Sequence, residues 1–125
     1  MKKAEQTTNS DLLAADGITM GSPTYYGLMS AKLKAFIDQS VGVNGKLAGK
    51  VGGAFTSSGG TATGAETTLI SIDQALLIHG MIVQGGPSGS YYGVAAQGKP
   101  SEEGLEACEE LGKRVAALAL KLQPC

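Results

Sequence analysis

Tyr25 and Tyr26 stand side by side in Pro23-Thr24-Tyr25-Tyr26-Gly27, a turn bounded by proline and glycine that interrupts an apolar run beginning at Gly17. Tyrosines held on such a turn offer flat π-faces and hydroxyls to a planar ligand at little ordering cost. A second polar, glycine-rich loop, Thr56 to Gly64, follows another short apolar segment. Two loops that leave consecutive strands on the same side of an open α/β sheet form a crevice for a cofactor. No residue is singled out as catalytic.

Other reactive side chains support blander readings. Tyr91 and Tyr92 lie in a Ser/Gly-rich loop and suit packing or ligand-edge contact equally. His79 precedes Gly80 at the end of a predicted helix, where an imidazole complements the C-terminal dipole, and this reading is preferred to catalysis. Cys108 falls on an apolar helix face as a small hydrophobe, and Cys125 is a terminal thiol. A rise of ~1.5 Å per residue separates the two by roughly 25 Å, beyond disulfide reach. One histidine and two distant cysteines give no metal-ligand spacing. Gly59 to Gly64 continues as Ala65-Glu66 rather than Lys-Ser/Thr, so it is not a triphosphate loop. Gly21-Ser22-Pro23-Thr24 is not a serine-hydrolase elbow.

The elements that must position these loops alternate. Capping residues at Asn9-Ser10-Asp11 open a short helical turn that Asp16-Gly17 breaks, and a strand follows. Ser30 to Gln39 places Leu33, Phe36 and Ile37 on one helical face, and Val41 to Gly49 reads as a glycine-containing connection. Lys50 to Thr56 is a short strand, Thr67 to His79 a helix ended by Gly80, and Met81 to Gln84 a strand buried on both faces. Gly85 to Pro100 reads as a long loop. Ser101 caps a final helix whose apolar stripe is Leu105, Cys108, Leu111, Val115, Leu118 and Leu122, with Glu109–Lys113 and Glu110–Arg114 as expected pairs. Strand and helix in alternation imply right-handed crossovers and a parallel sheet.

With 125 residues, residues 1–125 fit a single domain. The 19 glycines cluster between apolar segments without a repeat period, and a net charge of −1 with scattered Lys and Arg supplies no footprint for nucleic acid. The longest apolar stretch, Leu69 to Val83, is too short and interrupted to span a bilayer, and no apolar run follows the amino-terminal lysines as in a signal peptide. A cytoplasmic location is the expectation.

At Ser22-Pro23-Thr24-Tyr25-Tyr26-Gly27, Phe36-Ile37-Asp38-Gln39, Gly45-Lys46-Leu47-Ala48-Gly49-Lys50, Phe55-Thr56-Ser57-Ser58-Gly59 and His79-Gly80-Met81-Ile82-Val83, the chain resembles the flavodoxin-like family. Tyr92-Gly93-Val94 and Gly98-Lys99-Pro100-Ser101-Glu102 extend the likeness over nearly the whole chain. Within that family it looks like the tryptophan-repressor-binding-protein type of NAD(P)H:quinone oxidoreductase. The resemblance implies an open parallel sheet flanked by helices, with Pro23, Thr24, Tyr25, Tyr26 and Gly27 in a loop that contacts a flavin ring and Ser57, Ser58, Gly59, Gly60, Thr61 and Ala62 in a loop that reaches its polar edge. Flavin mononucleotide (FMN) is the implied cofactor, with NAD(P)H and a quinone as substrates for two-electron transfer. A non-catalytic, self-associating domain of the same fold and a one-electron carrier flavodoxin stand as alternatives.

The same resemblance implies elements ahead of residue 1: a strand, a Ser/Thr- and Gly-containing loop for the flavin phosphate, a helix and a second strand. Without them about three strands remain, the phosphate anchor is missing and the fold is incomplete at its amino terminus. In a sheet of order 2-1-3-4-5 the strand around Ile18 to Met20 would then show an unpaired edge, and part of the Leu105–Leu122 stripe would be uncovered. The expectation is a homo-oligomer that covers those surfaces, or an amino-terminally truncated version of a longer protein. His79 stands where the family often has two histidines, and the short Ser40–Gly45 connection lacks the tryptophan often found there.

Overall fold

A computed structural model describes residues 1–124; Cys125 lies outside the described residues. After a 3-10 turn at Ala4–Gln6, Thr8 caps helix α1 (Asn9–Ala14) in a reciprocal box with Asp11. Lys50 Nζ donates to the last carbonyls of this region, Leu13 O at 2.9 Å and Ala15 O, fastening α1 to the start of the second strand.

Strand β1 (Gly17–Pro23) alternates. Ile18, Met20 and Ser22 are buried on one face, while Gly17 lies beneath Val115 and Gly21 beneath the Phe55 ring on the other. Ser30 ends the following loop by accepting from Leu33 N with its hydroxyl and donating its own N–H to Ser22 Oγ at 2.7 Å. It thereby caps α2 (Ala31–Gln39), which buries Leu33 and Phe36. The expected plain connection holds a 3-10 turn at Ser40–Val43 and a fully buried Leu47. Strand β2 (Val51–Ser58) and helix α3 (Ala65–Ile78) follow.

The sheet is parallel throughout. β1 pairs β2 from Gly17↔Val51 to Pro23↔Ser57. The other side of β2 is shared: its first residues pair β3 (Ile82–Val83), and Phe55 to Ser58 pair β4 (Val94–Gln97). A strand thus lies inside the segment Gly85 to Pro100 that reads as loop. Gly93, at φ +137°, lets the chain pass against Ala54 O, where any side chain would collide, and sets Val94 beside Phe55. β3 is not buried on both faces, since Ile82 is exposed. It sits at the margin and pairs only two residues.

Two cores back the sheet. One joins Leu12, Ile18, Met20, Leu33, Phe36, Leu47, Ile72 and Leu76 from α1, α2 and α3. The other joins Val51, Val94, Leu111, Val115 and Ala119 beneath α4 (Glu102–Leu122) alone. Gly53 is the floor for Leu111, and a Cβ there would lie 2.9 Å from Leu111 Cδ1. With one helix on this face, Leu105, Leu120 and Leu122 remain exposed. Cys108 is exposed as well, against the expectation of a small buried hydrophobe, because the first turns of α4 have no second helix beside them. The expected i,i+4 pairs are replaced: Lys113 meets Glu110 at 3.3 Å, and Arg114 donates to Gly85 O at 3.1 Å.

Candidate cofactor-binding site

Every loop at the carboxyl ends of β1 and β2 starts from a hydrogen-bonded junction. Thr24 N donates to Ser57 O at 2.8 Å, continuing the ladder by one residue beyond β1. Thr56 Oγ1 donates to Ser22 O at 2.7 Å, so the 2.8 Å contact between Thr24 and Thr56 hydroxyls has Thr24 as donor. The two predicted loops are thereby set at a common rim.

The tyrosine loop is a tight turn. Tyr25 N donates to Leu28 O at 2.9 Å and Leu28 N to Tyr25 O at 3.0 Å. Between them Tyr26 (φ +50°) and Gly27 (φ +76°) both take left-handed conformations, the geometry of a two-residue hairpin turn. Glycine suits it, whereas tyrosine is strained there. Tyr26 is 106% exposed and Tyr25 59%, so neither ring plugs the core. Thr67 Oγ1, in the first turn of α3, donates to Gly27 O at 2.7 Å, and a Cβ on Gly64 would fall 2.5 Å from Gly27 Cα. Loop and helix start are thus in direct backbone contact.

In the second loop, Ser58 Oγ donates to Gly60 O at 3.1 Å and Thr63 Oγ1 to the same carbonyl at 2.8 Å. Thr61 Oγ1 donates to Gln97 Oε1 at 3.2 Å, and Gly98 N donates to Ser58 O at 2.8 Å, joining the end of β4 to the rim. Among the described residues the N–H groups of Gly59 through Thr63 have no backbone acceptor. They form a row of donors available to a polar edge. A cavity of about 340 Å³ opens beside the rim, lined by Pro23, Phe55, Ser57, Val94 and Cys108 among others, and no charged side chain lines it.

All eleven predicted residues therefore meet in one region. Thr56 and Thr67, which tie it together, were not among them; their signal was a threonine directly before one loop and another three residues into the next helix. Tyr91 and Tyr92 are exposed on the Gly85–Gly93 excursion, where Tyr91 O accepts from Gly86 N at 3.3 Å. His79 stands at the end of α3 as its C-cap and makes a tertiary contact besides. Its ring is buried and Nε2 donates to Ser40 Oγ at 2.7 Å, since the serine proton is directed to Ile37 O at 2.6 Å. Nδ1 is buried without a partner.

Residues 2–92 match the family model described as NADPH-dependent FMN reductase. A protein of Archaeoglobus fulgidus named NAD(P)H dehydrogenase (quinone) is 41% identical over 98% of this chain and 69% of its own length. A flavodoxin of Aquifex aeolicus is likewise 41% identical, over 93% of this chain and 67% of its own. The crystal structure of a WrbA-like flavodoxin from Agrobacterium tumefaciens superposes with a TM-score of 0.81 at 33% identity, covering 91% of this chain and 72% of that one.

Proposed function

This chain belongs to the NADPH-dependent FMN reductase family, and from that membership we propose that it binds FMN by the ring at the rim of Pro23–Gly27 and Ser57–Ala62. The reaction proposed is NAD(P)H plus a proton plus quinone giving NAD(P)⁺ plus quinol, with residues 1–125 working as one domain in the cytoplasm. Bound at that rim, FMN supplies a carrier that accepts a hydride and passes on two electrons.

The observation that carries this reading is the junction of Thr24 N on Ser57 O, which sets exposed tyrosine faces beside a row of uncommitted N–H donors. Tyr25 and Tyr26 offer stacking surface, and the Gly59–Ala62 amides suit the carbonyl and nitrogen acceptors of the ring edge. Donors placed there stabilise the more electron-rich, reduced ring. The residues fit the ring. The neighbouring 340 Å³ cavity has no cationic side chain in its lining, so the residues around it do not supply a phosphate partner.

FMN titration tests the reading. Binding should quench flavin fluorescence and raise the melting temperature. Tyr25→Ala and Tyr26→Ala should each weaken binding by about 2- to 10-fold, the worth of one aromatic contact of ~0.5–1.5 kcal/mol. No quenching and no thermal shift would reject it. The Aquifex flavodoxin, as similar as the dehydrogenase, favours a second reading as a one-electron carrier; rapid NADPH oxidation with a quinone acceptor counts against that. The unpaired edge of β1 favours a third, a non-catalytic self-associating domain, for which a colourless preparation that oligomerises tightly is the mark.

A further inference from the structure

Helices α2 and α3 leave an open groove of about 710 Å³ between them, within the ~300–1,000 Å³ usual for small-molecule sites. Its mouth is Leu28 and Met29, and it runs past Ile37 and Ala75 to Val41 and Ile78. The nine residues of α2 give it a length of about 13 Å. Leu28 is bonded through both backbone groups to Tyr25, so the groove opens from the same turn that presents the tyrosine rings.

Among the described residues the uncharged Asn44 and Gln74 amides and His79 Nδ1 are the polar groups along it without a partner, and the others are committed elsewhere. Ser40 Oγ donates to Ile37 O and accepts from His79, and Ser71 Oγ donates to Thr68 O at 2.7 Å. Lys34, the one lysine in the lining, is paired with Asp38 at 2.6 Å. A nucleotide would bring several phosphate charges to a single lysine already neutralised by a carboxylate. An uncharged alkyl chain meets no such cost. At the far end Val41 and Ile78 are 73% and 76% exposed, apolar surface that such a chain would cover.

The geometry points to this groove as the seat of the apolar tail of a lipid-tailed quinone whose ring lies at the tyrosine turn. The assignment rests on the quinone reading above and narrows it: the preferred substrate carries a long alkyl or isoprenoid chain, and the groove supplies binding that a bare ring cannot obtain.

Two measurements separate the groove from the ring site. With no flavin added, decanol should raise the melting temperature of the wild-type protein, and Ile78→Lys, at an exposed position, should abolish that rise; Ala75→Trp, which fills the groove, should do the same. In steady-state assays with FMN, wild-type kcat/KM for a decyl-tailed benzoquinone should exceed that for its tail-less parent at least tenfold, the ratio falling towards one in both variants. Equal kcat/KM for the two quinones in the wild type overturns the tail assignment while leaving quinone reduction standing. Reduction of neither quinone overturns the quinone reading and the assignment resting on it, and decanol then reports on the groove alone. Decanol without effect on a wild-type dimer that Ile78→Lys splits in sedimentation also overturns it, because the occupant is then a second copy of the chain.

Discussion

Tyr26 is held against its conformational preference at the tip of a turn whose other central position is glycine. Strain of about 1–3 kcal/mol at such a residue persists only where neighbours fix it, and here the paired Tyr25–Leu28 bonds and the Thr67–Gly27 bond do so. The ring is thereby presented to solvent rather than folded onto the sheet. Asp73 shows the opposite economy. It is buried on α3, one carboxylate oxygen has no partner, and burial lifts its pKa from 3.8 to about 6. Between those values the folded chain holds a proton that the unfolded chain has released, so stability should fall as pH rises from about 4 to about 6 and stay low above. Asp73→Asn should flatten that slope and raise stability at pH 8 by an amount on the order of 1–3 kcal/mol. Urea titrations of both proteins at the two ends of the range check this; parallel pH profiles would refute it. The tyrosine pair was legible because proline and glycine flank it in sequence. The Ser40–His79 bond was not, since 39 residues separate its members and only the packing of α2 on α3 brings them together.

At the scale of elements, the strand and helix alternation up to Gln84 was readable from apolar period and capping residues, and Ser101 and Ser30 start their helices as their types require. β4 was hidden because Val94-Ala95-Ala96-Gln97 is short and follows glycines; it forms because the second half of β2 has donors and acceptors to satisfy. Of the salt pairs predicted on α4, Glu109–Lys113 gave way to a Lys113–Glu110 pair one residue nearer on the same helix, and Glu110–Arg114 failed for a related reason. Arg114 reaches the carbonyl of Gly85, a tertiary partner that no helical spacing reveals. The junction of α3 with the tyrosine loop depends on Gly64 as well as on the Thr67–Gly27 bond. Gly64 has φ +98°, and a methyl group there would meet Gly27 Cα at 2.5 Å. Gly64→Ala should destabilise the fold by about 1–3 kcal/mol and weaken FMN binding by pushing the two loops apart. Loss of stability with unchanged flavin affinity would show that the rim does not need this contact.

For the whole molecule, β1 is the edge of the sheet. Asp16 O accepts from Val51 N and Thr24 N reaches Ser57 O, so by the alternation of a parallel ladder the N–H and C=O groups of Thr19 and Gly21 are directed outward. The strand has no charged residue from Gly17 to Pro23 to discourage pairing. A shallow cavity of about 460 Å³ runs between this edge and α4, walled by Gly17, Thr19, Ala116 and Leu120. The protein should therefore self-associate with rising concentration in sedimentation, and Thr19→Lys, which sets a charge on the edge, should shift it towards the monomer. A wild-type chain that stays monomeric across the accessible range would contradict this.

The interrupted third column of the sheet has one more implication. Because β3 and β4 grip β2 at separate points, the Gly85–Gly93 excursion between them is attached at both ends yet contributes nothing to the ladder. Its tip is a splice point: amino acids can be inserted between Pro87 and Tyr92 without shifting the register that fixes Ser57 beside Thr24, provided that Gly93 keeps its place against Ala54 O. Descendants of this scaffold can remodel the exposed segment that carries Tyr91 and Tyr92 while inheriting the frame intact.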